Sequence, residues 1–160
     1  MKKIVLIAFL LVCGTNFAQD FNSIPLSQDS DYKKAEKTII ESCNYLLSTP
    51  IDSNELLRLQ HIQLVMKWME GTPDYTFSLT STATKFSGDN SNLLGIYLAA
   101  LVIHIVKDHG DAKDLKNVDL QTVTIALNYV ITPENHVPLT SSLKKLIKAK
   151  ENGKLAEAID

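Results

Sequence analysis

Apolar residues recur every three or four positions along most of the chain, which is the spacing of one face of an α-helix. The first such face, between about Ser30 and Ser48, consists of Tyr32, Ala35, Ile39, Cys43, Leu46 and Leu47. Thr49-Pro50 follows it and predicts the end of the helix, because the residue before a proline resists helical geometry.

A second helix is predicted from Asp52 to Gly71. Asp52 is the expected N-cap, with Glu55 three residues later as its capping-box partner. The short link to the first helix predicts that the two pack as antiparallel neighbours. The remaining predicted helices run from Ser91 to Asp108, from Asp114 to Val130 and from Thr140 to about Gly153, with a short final turn carrying Leu155 and Ile159.

Residues 72–90 break the helical pattern. Tyr75, Phe77 and Leu79 alternate with Thr and Ser, which is typical of an extended chain. A hydroxyl-rich connector follows, consisting of Ser81, Thr82, Thr84 and Ser87. The whole pattern predicts an all-α fold. We expect a single compact bundle of about five helices around the apolar stretch 93–106, with an extended Thr/Ser-rich connector.

The N-terminus has the layout of a secretory signal peptide. A basic start at residues 2–3 precedes an apolar run over residues 4–12, and small or mildly polar residues follow. Removal of residues 1–19 leaves a single helical domain, residues 20–160, in the periplasm or outside the cell. The alternative is a lipid anchor on Cys13, which the bulky residue before it disfavours.

Composition and charge narrow the function classes. The 160-residue chain is 45% hydrophobic and 21% charged, as in an ordinary globular protein. Without residues 1–19 it carries 14 basic and 18 acidic side chains, hence a net charge of −4. An acidic chain whose only arginine is Arg58 is a poor match for nucleic acid. The longest apolar stretch after residue 20 has 14 residues, which is shorter than a transmembrane helix.

The sequence carries no motif of a phosphate-binding loop, a dinucleotide site, a metalloprotease or a serine hydrolase. Cys43 with His61 or His104 is a conceivable nucleophilic pair, but Cys43 lies on an apolar helical face and is predicted to be buried. Glu70 and Asp74 flank a Gly-Thr-Pro turn that explains both carboxylates. The chain is therefore predicted not to be an enzyme and to need no cofactor.

Four residues of metal-ligating types occur close together in the sequence, namely His104, Asp108, His109 and Asp111. His104 and Asp108 are four residues apart, so one helical turn brings them to the same face. Imidazole and carboxylate groups are ligands for zinc or a harder cation. The alternative interpretation is a solvated helix end followed by a turn, with His104 as a hydrogen-bonded core histidine.

The stretch 68–77 gathers the only tryptophan, a methionine and two other aromatic residues, namely Trp68, Met69, Tyr75 and Phe77. These residue types are enriched at binding hot spots, so the stretch is a candidate interaction surface. The competing interpretation is that its aromatics plug one end of the bundle. Lysines between Lys144 and Lys154 form a basic edge, which could steer an acidic partner, touch an anionic surface or simply form a solvated helix face.

Together, these patterns predict an exported, non-catalytic protein-interaction module whose partner is another protein. An accessory, adaptor or inhibitor-like (immunity-type) subunit fits this description. The alternative is a periplasmic protein that binds a metal or a small ligand through His104 and Asp108. The pattern leaves the oligomeric state open.

Overall fold

The computed structural model describes Phe21 and residues 24–159. The predicted signal peptide and Cys13 lie outside these residues. The described α-helices are α1 (Asp29–Ser48), α2 (Glu55–Gly71), α3 (Ser81–Ser87), α4 (Ser91–Val102), α5 (Leu115–Ile131), α6 (Ser141–Glu151) and α7 (Leu155–Ile159). A π-helical turn, Ile103–Lys107, continues α4, and a 3-10 turn, Pro133–Asn135, follows α5.

The prediction of an all-α protein is confirmed, since the described part of the chain contains helices and no strand. Residues 24–159 contain seven α-helices rather than about five, because α3 and the last short turn, α7, are helices of their own. Within residues 24–159, no helix has both the length and the apolar character that crossing a bilayer requires.

Side chains that accept a hydrogen bond from the first helical turn set most of the helix starts. These cap residues are Asn54 for α2, Thr80 for α3, Asn90 for α4, Asp114 for α5 and Thr140 for α6. The prediction of Asp52 as the cap of α2 is wrong, because Asn54 accepts from the Leu57 N–H at 3.1 Å. Asp52 is used elsewhere, since its carboxylate lies 3.2 Å from Nδ1 of His136.

The apolar stretch predicted at the centre of the protein does form its middle. Every residue from Gly95 to Val106 is buried, and α4 contacts α1, α2, α3 and α5. The close approach of α2 and α4 depends on a glycine. A Cβ atom on Gly95 would lie 2.4 Å from Ile62 Cδ1 and 2.5 Å from Ile62 Cγ1.

The second half of the predicted connector is not extended. Ser81–Ser87 forms α3, whose start is capped by Thr80 Oγ1 accepting from the Thr82 N–H at 3.2 Å. The hydroxyl residues of the predicted extended connector therefore belong to a helix, and two of them, Thr82 and Ser87, are buried. Residues 75–80, before α3, form no regular secondary structure.

The Gly95–Ile62 contact gives a test of the α2–α4 packing. We expect Gly95→Ala to destabilise the protein by about 1–3 kcal/mol through overpacking, despite the better helix propensity of alanine. In an Ile62→Ala background the same change should be neutral or stabilising, because the remaining Ile62 Cβ lies at an ordinary 3.6 Å. Urea unfolding of the four proteins measures this coupling. Additive costs would contradict the contact.

Candidate functional site

The structure divides the predicted aromatic surface. Trp68 is 0% exposed and its indole N–H donates to the Tyr32 carbonyl at 2.9 Å, so it is not part of any surface and this part of the prediction is wrong. Met69, Tyr75 and Phe77 are half-buried. Burial of Trp68 is energetically favourable because an indole ring has a large apolar area.

The aromatic residues of this stretch hold an irregular segment against the helices. The Trp68 ring lies 5.7 Å from the Tyr75 ring and 5.9 Å from the Phe77 ring. The Tyr75 hydroxyl donates to Glu36 Oε2 on α1 at 3.0 Å. These contacts match the interpretation of a plug at one end of the helices, and they fix the path of the chain towards α3.

His104, the first predicted metal ligand, is buried in the π-helical turn that ends α4. Its Nε2 atom has no hydrogen-bond partner among the described residues. The ring lies against Gly110, where a Cβ atom would be only 2.5 Å from Nε2. Gly110 therefore permits this close approach because it has no Cβ atom. The residue with left-handed backbone geometry after the π-helical turn is His109, whose φ is 56°.

Two acidic residues after His104, Asp111 and Asp114, stabilise the turn that leads into α5. Asp111 Oδ1 accepts from the Lys113 N–H at 2.9 Å, and Asp114 caps α5. No group of three or more His, Cys, Asp or Glu side chains in the described part of the chain is arranged to hold a metal ion. The metal site at His104, Asp108, His109 and Asp111 thus stays a prediction from spacing alone.

Cys43 is completely buried on α1, as its place on the apolar face predicts. Burial raises the pKa of its thiol far above the ordinary value. Because the thiolate is the reactive form of cysteine, a buried neutral thiol acts here as a small apolar side chain.

The only arginine of the sequence, Arg58, is fully buried. Arg58 is 0% exposed, and its Nη1 donates to Thr49 Oγ1 at 2.9 Å and to the Thr49 carbonyl at 3.2 Å. The Pro50 carbonyl accepts more weakly, at 3.4 Å. The acceptors lie at the C-terminal end of α1, where the helix dipole favours a cation. Within the described residues, its Nε and Nη2 atoms have no hydrogen-bond partner.

His61 lies one helical turn after Arg58 and is also buried. Its ring stacks on Tyr45 with centroids 4.2 Å apart and meets the Phe21 ring edge-on at 4.5 Å. Desolvation, and then the positive charge of Arg58, lower the pKa of His61 to about 4. The imidazole is therefore neutral at physiological pH and packs as an aromatic residue.

A buried carboxylate fixes the other end of the molecule. Asp119 Oδ2 accepts hydrogen bonds from the hydroxyls of Thr80 at 2.7 Å and Thr82 at 2.9 Å, and Oδ1 accepts from the Tyr97 hydroxyl at 3.0 Å. These bonds join α3, α4 and α5. Burial, and the negative charge of Asp119, raise the pKa of Tyr97 well above its usual range. The phenol therefore remains a donor.

A concave, largely apolar surface lies between the end of α5 and α6 and is open to solvent. We call it the apolar groove, lined by Val130, Ile131, Thr132, Pro133, His136, Val137, Leu139, Ile147 and Glu151. Ile131 and Leu139 are 49% and 45% exposed. Other exposed apolar residues, such as Leu56 on α2, do not line this concave surface. The groove is therefore a place where two large exposed apolar side chains face the same depression.

A second groove lies on the opposite flank of α6, between α6 and α7. We call it the lysine groove, lined by Lys145, Lys148, Ala149, Asn152, Lys154, Glu157 and Ala158. The structure thus places part of the predicted basic edge along an open depression that Ala149 and Ala158 also line. Lys150, by contrast, donates to the Asn128 side chain.

Sequence spacing carried a signal for the buried charged residues. Arg58 is in phase with Ile62, Val65 and Trp68 on the buried face of α2, and Asp119 shares the buried face of α5 with Val123. A charged residue in an apolar phase indicates a buried polar contact. No spacing indicated the apolar groove, because its two sides come from separate segments of the chain.

Comparison with known proteins adds no family assignment. No protein-family model, no curated protein and no solved structure matches this chain. The functional argument therefore rests on the surface geometry described above.

The depressed pKa of His61 predicts acid sensitivity. The unfolded chain takes up the proton near pH 6.5 and the folded protein only near 4, so stability present above pH 6.5 is lost as the pH falls. By about pH 4 the loss from this residue is about 3 kcal/mol. We expect His61→Phe, which keeps the stacking on Tyr45, to lose less stability than the wild type between pH 6.5 and pH 4. Urea unfolding of both proteins at these two pH values measures the difference. An unchanged pH dependence in the variant would contradict the assignment.

Removal of the Tyr97 hydroxyl tests the Asp119 contacts. Tyr97→Phe should destabilise the protein by about 2–3 kcal/mol, because it removes a bond to a charged acceptor. Tyr129→Phe is the matched control, since the Tyr129 hydroxyl donates to the neutral Thr49 carbonyl at 2.7 Å. Its expected cost is about 1 kcal/mol. Thermal unfolding of both variants measures the two losses of stability. Equal losses would show that the Asp119 carboxylate does not strengthen the hydrogen bond of Tyr97.

Proposed function

We propose that this chain is an exported, non-catalytic protein-binding module that holds its partner in the apolar groove. The observation that carries this proposal is the placement of Ile131 and Leu139, both nearly half exposed, in one concave surface. Apolar pockets that can take an anchor side chain are the usual centres of binding energy at protein interfaces.

The backbone around the groove supports binding of a partner without rearrangement. The Asn135 side chain donates to the Tyr129 carbonyl at 2.8 Å, and the Asn135 carbonyl accepts from the Ile51 N–H at 3.0 Å. The His136 ring is paired with Asp52. The side chains of the groove are therefore presented by a tied segment, which reduces the entropy that binding costs.

The chemistry of the groove supports binding rather than catalysis. Its ionisable side chains are His136 and Glu151, and His136 is engaged by Asp52. Cys43 and His61 are buried in the helical core. The proposal of export rests on the N-terminal order of basic, apolar and small residues.

In-cell photo-crosslinking tests the proposed function. A photoreactive phenylalanine analogue replaces Leu139 in the full chain, and the matched control replaces Leu56, which at 68% exposed is the more accessible of the two. We expect discrete protein adducts from position 139 and none of the same size from position 56. The absence of adducts from position 139, or the same adducts from both positions, would contradict binding in the apolar groove.

A further inference from the structure

The two flanks of α6 differ in their lysines: each groove is lined by one glutamate, but only the lysine groove is lined by lysines, which outnumber its Glu157. Ile147 and Glu151, one helical turn apart, line the apolar groove, while Lys145, Lys148 and Ala149 line the lysine groove. Since both grooves share one helix, they lie side by side, separated by a ridge about 10 Å wide. A partner seated on one flank is therefore within reach of the other.

We infer that the occupant is an acidic amphipathic segment of a partner protein, an inference that rests on the protein-binding function proposed above. Its apolar side chains occupy the apolar groove against Ile131 and Leu139. Its carboxylates lie across the ridge towards Lys148 and Lys145. A partner helix packed along α6 at the usual interaxial distance of about 8–10 Å turns its apolar face towards the apolar groove and its acidic face towards the lysines.

The charge distribution supports this choice of partner. Lys145, Lys148 and Lys154 are exposed, and none of them forms an ion pair with a carboxylate of the described residues. The chain without residues 1–19 carries a net charge of −4, so this edge is a local basic region on an acidic body. Such a field steers an acidic partner to this edge and repels it elsewhere.

The shape favours a protein segment over an anionic membrane. A membrane-surface helix presents its apolar residues on a convex face flanked by lysines. Here Ile131 and Leu139 line a depression instead. A depression accepts projecting side chains, which a peptide helix provides.

The test uses defined synthetic peptides of about 18 residues, or five helical turns. The acidic peptide has leucines at amphipathic spacing and glutamates at most other positions. One control peptide replaces the glutamates with lysines, and another keeps the acidic composition with scrambled leucines. Fluorescence anisotropy measures their binding to the purified full-length protein at low and high salt. We expect the acidic amphipathic peptide to bind more tightly than both controls, and binding to weaken with salt.

Three variants locate the binding. Lys145→Glu/Lys148→Glu should weaken the acidic peptide about tenfold, as reversal of two exposed charge pairs predicts. Lys33→Glu/Lys34→Glu, on the exposed side of α1, makes the same change in net charge and should have a much smaller effect. Ile131→Ser/Leu139→Ser should abolish the preference for ordered leucines, with circular dichroism verifying the fold.

The outcomes separate this inference from the proposed function. If the lysine and glutamate peptides bind equally and only the groove variant weakens them, the acidic partner is wrong while the protein-binding groove stands. If no peptide binds but position 139 gives adducts in cells, the same conclusion holds. If anionic phospholipid vesicles bind in a lysine-dependent manner and no peptide does, the edge is a membrane contact and the inference is overturned.

Discussion

A fully buried guanidinium lies where α1 ends, and much of this end of the molecule is arranged around it. Arg58 is surrounded by neutral oxygen atoms, those of Thr49 and Pro50, rather than by a carboxylate of the described residues. Burying a cation in this way is costly unless acceptors are held in place. The carbonyl groups at the C-terminus of a helix meet this need, because they point outward and carry partial negative charge. The α1–α2 connection is therefore held in one conformation.

The same carbonyl extends this constraint to the apolar groove. Thr49 O accepts from Arg58 and also from the Tyr129 hydroxyl near the end of α5. The Tyr129 carbonyl in turn accepts from Asn135, whose own carbonyl binds the Ile51 N–H. A short series of hydrogen bonds thus links a buried charge to the segment that forms one side of the groove. The exposure of Ile131 is for this reason a property of a fixed backbone, not of a loose chain end.

The spacing of apolar residues predicts features that depend on neighbouring residues, such as helices and their buried faces. It fails where a side chain contacts residues far away in the sequence. The long helices and the buried Cys43 follow from apolar periodicity. The prediction of Asp52 as a cap is wrong because α2 begins at Glu55 with Asn54 as its cap, and the Asp52 carboxylate instead contacts His136, 84 residues away. Ser81–Ser87 was mispredicted as extended because hydroxyls favour turns locally, whereas here Asp119 accepts from Thr82 across 37 residues. The apolar groove was beyond prediction, since it forms only when segments from α5 and α6 meet.

Several residues whose side chains could suggest a catalytic or binding role are instead buried and stabilise the core. His61 stacks on Tyr45, Asp119 joins three helices and Trp68 is buried against Tyr75 and Phe77, so each has a structural role at the position where it is found. The apolar groove has no such role in folding. Ile131 and Leu139 stay nearly half exposed there, so the fold does not gain the stability that their full burial would give. Large apolar side chains kept half exposed in a depression, beside lysines without carboxylate partners in the described chain, are the features that stability alone does not require. Function is therefore best sought on the two flanks of α6.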